Sequence, residues 1–356
     1  MLRSNLFLAL GTAGLLASMV GCGDDGTGAG GSGGAGGSGG SGGGESATPP
    51  TRPEGAGPGD GPGKVFGTTK LYLGGKTRQG QASDDAWKDF GYDLDGVFTT
   101  DDFSNHCTPA AGGIPTNVFP DGNAGIDNSF GNTLLPLVSV AGDIEEQANM
   151  ALAGGSFNIM VNMADLGDGA NYDPLDAFLL AGKNGMGNTW ELVPEFLTNP
   201  MDPNSSPVKF ADSYLNENVW VSGNKGTLDL TLSIAGFDLK LVINSAYLTM
   251  KLDADHNGAS EGIIAGVLNA EDLIEQIQAL AGNINPDFCD PNNGVIQGIL
   301  NQVRQSADIM ADGSQQAGTP CTGISIGLGF DAEAVTISGV GMPAEPAPDP
   351  CDMPQP

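Results

Sequence analysis

Four consecutive stretches between residues 227 and 268 alternate apolar and polar side chains with a period of two. In "TLDLTLSI", Leu228, Leu230, Leu232 and Ile234 share one face, and "FDLKLVI" repeats the arrangement with Phe237, Leu239, Leu241 and Ile243. "AYLTMKL" adds Leu248, Met250 and Leu252, and "GIIAGVL" follows. Successive side chains of a strand point to opposite faces, so these stretches predict strands buried on one side. The Gly and Asn/Asp residues between them predict the turns of an antiparallel meander. Two more alternating runs stand apart: "FNIMVNM" through Phe157, Ile159, Val161 and Met163, and "GISIGLGF" through Ile324, Ile326, Leu328 and Phe330.

Helical spacing interrupts the strands. "NAEDLIEQIQALAG" places Leu273, Ile274, Ile277 and Leu280 on one side, with Asn269 as N-cap and Gly282 as stop. "NNGVIQGILNQVRQSADIM" does the same with Val295, Ile299, Val303 and Ile309, and a shorter helix is expected over 144–152. Many strands with two or three helices predict an α+β, mainly β fold: an antiparallel β-sandwich-like body with the helices packed at one edge. That body is expected to span residues 64–341, followed by a Pro-rich tail over 342–356.

The N-terminus reads differently. Arg3 precedes an apolar stretch from Leu6 to Val20 that is too short for a membrane span, which is the layout of an export signal over residues 1–21. Met19, Val20 and Gly21 precede Cys22 as in a bacterial lipobox, so Cys22 is the expected site of lipid attachment and chain cleavage. Nineteen of the residues from Gly23 to Gly63 are glycine and almost none is apolar. Such a segment buries too little surface to offset its ordering entropy, and residues 22–63 are expected to form a disordered tether. The expected location is the outer membrane or cell surface rather than the inner membrane.

The charge balance narrows the partners. Lys and Arg total 13 against 43 Asp and Glu, a formal net charge of −30. Nucleic-acid binding rests on cationic side chains that displace counterions, and an anionic lipid surface needs the same, so both are disfavoured. Cation binding suits this surface. Four cysteines follow Cys22: Cys107, Cys289, Cys321 and Cys351. An even number in an exported chain predicts two disulfides, with Cys289–Cys321 and Cys107–Cys351 preferred because the first pair brackets a predicted helix.

Three acidic loops could hold calcium. In "LDADHNGASEG", Asp253, Asp255, Asn257 and Gly258 reproduce the first half of a calcium-loop pattern, and Glu261 stands at the ninth position. The twelfth position is Ile264 where such a loop needs Glu, and the flanks read as strands, so a polar hairpin turn remains the competing reading. "FPDGNAGIDNSFGN" supplies Asp121, Asn123 and Asp127, and "DDAWKDFGYDLDGVFTTDD" supplies Asp93 and Asp95. Packed carboxylates repel unless a cation or solvent neutralises them, so each loop is either a cation site or a solvated acidic face.

Catalytic patterns are weaker. "GISIG" around Ser325 and "GASEG" around Ser260 match G-x-S-x-G, but Ser325 sits inside an alternating run and neither serine is followed by a histidine. "GGKT" at 74–77 lacks the first glycine of a phosphate-binding loop, Lys70 standing in its place. His106 beside Cys107 reads as a loop histidine.

"DDAWKDFGYDLDG", "DGNAGIDNSFGN" and "ADIMADGSQQAGTPCTGISIGLGF" together resemble an uncharacterised group of lipoproteins common in myxobacteria, over roughly residues 64–341. The resemblance implies a lipobox, a Gly/Ser tether and a β-rich body, and it brings no known activity. The functional expectation is a lipid-anchored surface lipoprotein acting as a binding or structural module, stabilised by calcium, with an envelope or matrix polymer as partner. A secreted hydrolase using acidic residues, with or without a metal, is the alternative.

Overall fold

The computed structural model describes residues 46–99, 106–110, 119–139, 142–223, 225–234, 237–343 and 351. The signal segment, Cys22 and most of the tail therefore lie outside the described residues. Among the described residues, eleven strands form one continuous sheet: β1 (Lys64–Tyr72), β2 (Asn158–Met163), β3 (Ala177–Met186), β4 (Thr189–Leu192), β5 (Lys209–Phe210), β6 (Tyr214–Asn216), β7 (Val219–Val221), β8 (Gly226–Ile234), β9 (Phe237–Leu252), β10 (Gly258–Asn269) and β11 (Gly323–Val340). The helices are α1 (Leu135–Ser139), α2 (Ile144–Ala153), α3 (Ala270–Ile284) and α4 (Gly294–Gln305), with a π-turn over Phe130–Leu134 leading into α1.

The fold is mainly β, as expected, but the pair of facing sheets is not what the strands build. The long strand β11 pairs antiparallel with β10 along Gly323–Glu333 and with β1 along Gly329–Val335 on its other edge. It then continues beside β4 in parallel. Ala334 N–H donates to Asn257 O and Thr336 N–H to Asn188 O, so β4 follows β10 along one edge of β11. The order β1-β2-β3-β4-β11-β1 closes a five-stranded ring. Met160, Leu180, Trp190 and Leu192 are buried together, with Val65, Val335 and Ile337 packed against them, one or more from each strand of that ring. The opposite faces of the same strands, through Phe66, Ile159, Val161, Leu328 and Phe330, join the main core with Leu248, Met250, Ile264 and the apolar sides of α3 and α4.

The predicted meander is present with one change. The two segments expected over 237–243 and 246–252 fuse into β9, and Asn244–Ser245 is a bulge rather than a turn. Ser245 takes a positive φ of 49°, and the register shifts against both β8 and β10 there. Asn269 caps α3 as predicted, accepting from Glu271 N and Asp272 N. The helix runs past Gly282 and ends before Asn285–Pro286, where a residue preceding proline is pushed out of the helical region. In α4 the buried side is Ile296, Leu300 and Val303; Val295 is 61% exposed and Ile309 lies beyond the helix end, in a separate core patch.

Residues 46–63, expected to belong to the tether, lie along the body as a strap. Tyr214 OH donates to Pro50 O, Asn216 Nδ2 donates to Thr51 O (2.8 Å), and Arg52 pairs with Asp173. Gly59, Gly61 and Gly63 donate to Pro174 O, Asp165 O and Leu166 O. The preferred disulfides are also replaced: Cys107 pairs with Cys321 and Cys289 with Cys351, at Cα–Cα 5.1 and 5.3 Å. Thr108 N donates to Thr319 O and Cys321 N to Thr108 O, both at 2.8 Å, and this short parallel bridge sets Cys107 beside Cys321. No helix among the described residues is long and apolar enough to cross a membrane.

Candidate metal centre

Two loops that are separate in sequence are laced together by their own backbone. Asp127 N donates to Tyr92 O (3.0 Å), and Asp121 N donates to Thr99 O (3.1 Å). The carboxylates then cap amides: Asp127 Oδ2 accepts from Leu94 N, Asp121 Oδ2 from Thr99 N, Asp93 Oδ1 from Gly96 N and Asp95 Oδ1 from Val97 N, all at 2.7 Å. Short Asp side chains favour such local amide bonds, which is why an Asp-x-Asp-Gly stretch forms this turn. Gly125 is required where the loops meet. Its φ is +79°, and a Cβ there would stand 3.2 Å from the Phe98 ring and 3.3 Å from Asp93 Oδ2.

The lacing leaves one oxygen of each of two carboxylates without a donor. Asp93 is 9% exposed and Asp127 2%. Asp93 Oδ2 and Asp95 Oδ2 are buried and accept no hydrogen bond from the described residues. One ligand oxygen from each of Asp93, Asp95 and Asp127 lies within 4.8 Å of the others. Calcium takes oxygens at about 2.3–2.6 Å, so two of them on opposite sides of the ion are separated by roughly that span.

Electrostatics reinforces the geometry. Burial pushes the Asp121 carboxyl up to about 8 and holds Asp127 well above the usual range, with the charges of neighbouring aspartates adding to the shift. Burial raises Asp95 as well. Asp308, on the turn after α4, is raised to about 7 by burial although Ser325 N (2.8 Å) and Ser325 Oγ (2.5 Å) donate to it. Among the described residues no Lys or Arg makes an ion pair with any of these five aspartates. The groups that do approach are uncharged or titratable: Gln315, which bonds Cys107 N and Asp308 O, and His106, held by Thr99 Oγ1 at 3.1 Å, both act to lower the Asp95 carboxyl against the effect of burial. Buried carboxylates without a counter-charge must hold protons or a cation. Asp93, Asp95 and Asp127, two of them with idle oxygens, are thus the described residues whose carboxylates converge with the spacing that a single cation would need.

The other predicted residues do not join this cluster. Asn123 is exposed and donates from Nδ2 to Asp89 Oδ1 (2.6 Å). Asp253, Asp255 and Asn257 form the β9–β10 hairpin turn: Asp253 N donates to Gly258 O, and Asn257 N to Asp253 Oδ1. The Lys64 ammonium sits in that turn, donating to His256 O (2.7 Å), Asp255 O (3.1 Å) and Asn257 Oδ1 (3.1 Å). His256 at its tip is buried, with Nδ1 against Gly167 O and Nε2 against Asn218 Oδ1. Glu261 lies on a bulge of β10, 3.5 Å from Lys251 Nζ. Ser325, fully buried, gives its hydroxyl to Asp308 and serves the strand packing.

Sequence reasoning missed Asp308, Gln315 and the placement of His106. The signal that links them is the cysteine pairing. Cys107–Cys321 brings the 308–321 turn against the loop that begins at His106, where Cys107 N donates to Gln315 Oε1 and Gln315 Nε2 to Asp308 O. Comparison with protein-family models, with curated proteins and with solved structures yields no match, so the site itself carries the functional reading.

Proposed function

We propose that this chain is an exported surface module, lipid-anchored at Cys22, whose body is locked by a calcium-class cation at Asp93, Asp95 and Asp127. Asp121 lies alongside as a further acid. The buried, unpartnered Oδ2 atoms of Asp93 and Asp95 carry the reading, because such oxygens are costly unless a cation meets them. The export signal, the charge of −30 and the resemblance to myxobacterial lipoproteins support the surface location, with an envelope or matrix polymer as partner. A hydrolytic role would need a carboxylate presented to substrate, and the burial of Asp93 and Asp127 favours a structural cation instead.

Calorimetric titration of chelator-stripped full chain with calcium tests this. One saturable site is expected, with a melting temperature that rises with calcium, because a ligand bound only by the folded state stabilises it. Asp93→Asn should remove the site, and Asp253→Asn should leave it intact. Absence of binding, or binding that survives Asp93→Asn and fails in Asp253→Asn, would overturn the assignment.

A further inference from the structure

The strap and the metal centre meet at a single residue. Ala47 N donates to Ala124 O (2.9 Å), and Ala47 O accepts from Asp93 N (2.8 Å). One residue thus bridges the two loops whose carboxylates make the site: Asp93 belongs to the first, and Ala124 lies between Asp121 and Asp127 in the second. From there the strap follows the body to Lys64 and leaves no side chain among the buried core residues. It is held by hydrogen bonds and by the Arg52 guanidinium, which bonds Asp173, donates to Asp212 O and lies 4.8 Å above the Tyr214 ring. Segments held by exposed backbone bonds, with little apolar burial, open at the lowest free-energy cost in a protein.

We infer that cation binding at Asp93, Asp95 and Asp127 clasps the N-terminal strap to the body, and that the strap in turn strengthens the site. The inference rests on the calcium reading above. With the ion bound, the two loops are drawn to one fixed spacing, which is the spacing that Ala47 spans. With the ion removed, nothing coordinates the two loops at that spacing, and the two partners of Ala47 are free to move apart. The ion then favours the strapped state through its own differential affinity, and by linkage the strap must raise ion affinity by the same factor. Release would add residues 46–63 to the chain between Cys22 and the body, up to about 60 Å of extra reach at roughly 3.3 Å per residue. Calcium would thereby set how far the body stands from its anchor.

Hydrogen exchange on the full chain, with calcium and with chelator, gives the direct readout. Amides of 46–63 should exchange at least fivefold more slowly with calcium, while the core strands β10 and β11 change little. Ala47→Pro removes the donor to Ala124 O and touches no carboxylate, and it should weaken calcium binding about fivefold with one site retained. If wild type binds calcium but the strap exchanges equally in both conditions, and Ala47→Pro binds as wild type does, the clasp is refuted and the cation site stands. If wild type binds no calcium, the cation site and the clasp fail together.

Discussion

Stripped of divalent cations, this protein should lose stability as the pH rises from about 4 to 8, the opposite of the usual acidic side of a stability profile. Asp121 is raised to about 8 and Asp308 to about 7, against an unfolded carboxyl near 3.8. In that window the folded state therefore keeps protons that the unfolded chain has released. Stability falls with pH wherever the folded state binds more protons, by about 1.4 kcal/mol per pH unit for each one. Asp121 alone would withdraw about 3 kcal/mol between pH 5 and pH 7, a sizeable share of the 5–15 kcal/mol typical of a domain. The contribution is complete below pH 4 and gone above pH 8. Urea unfolding in chelator at pH 5, 6, 7 and 8 measures it as a falling midpoint. Excess calcium should remove or reverse the slope, because the ion displaces the protons and binds better as the carboxylates ionise. Asp121→Asn should flatten the chelator series by about one proton's worth. A midpoint that stays level or climbs through this window without cations would mean the cluster is solvated, and the argument from burial would fail.

Two further expectations concern other parts of the chain. Lys64→Met removes the ammonium from the β9–β10 turn and leaves Asp255 O, His256 O and Asn257 Oδ1 without their donor; a loss of about 1–3 kcal/mol is expected in urea unfolding. Cys22→Ser should move the protein from the membrane to the soluble fraction on cell fractionation, and unchanged membrane partitioning would remove the anchor from the proposal.

Period-two alternation located β11 because its large apolar side chains fall on one face, where Ile324, Ile326 and Leu328 are fully buried, while Ser325, Gly327 and Gly329 take the other face, with Gly327 and Gly329 close against Phe90. The N-cap at Asn269 was legible for an equally local reason, since the capping oxygen and its amides lie within three residues. The ring closure was not legible. It depends on β11 being 18 residues long and using both edges, and nothing in an alternating pattern says which strands pair. The strap shows a different limit. Glycine and proline content measures what a segment can bury, and residues 46–63 bury little; they are ordered because the body offers backbone partners at Leu166, Asp165 and Pro174.

The two acidic loops illustrate why motif strength and cation need are separate matters. The Asp253–Gly258 turn has the sharper sequence pattern, yet its inward oxygens already receive an ammonium, because Lys64 at the start of β1 reaches across to it. The Asp93–Asp127 cluster has no full motif spacing, since Asp127 stands 32 residues after Asp95 and meets the Asp93–Asp95 pair only through the lacing of two loops. In a chain with 13 basic residues against 43 acidic ones, most acids must be left to solvent. Those at the surface are neutralised by water and salt at little cost, and those in the interior are not. What motivates the proposed cation site is therefore burial without a partner, a property of tertiary packing. Lys225 does reach this loop, but its ammonium donates to Leu94 O (2.7 Å) and makes no ion pair with Asp93, Asp95 or Asp127, so the idle carboxylate oxygens stay without a cationic partner among the described residues.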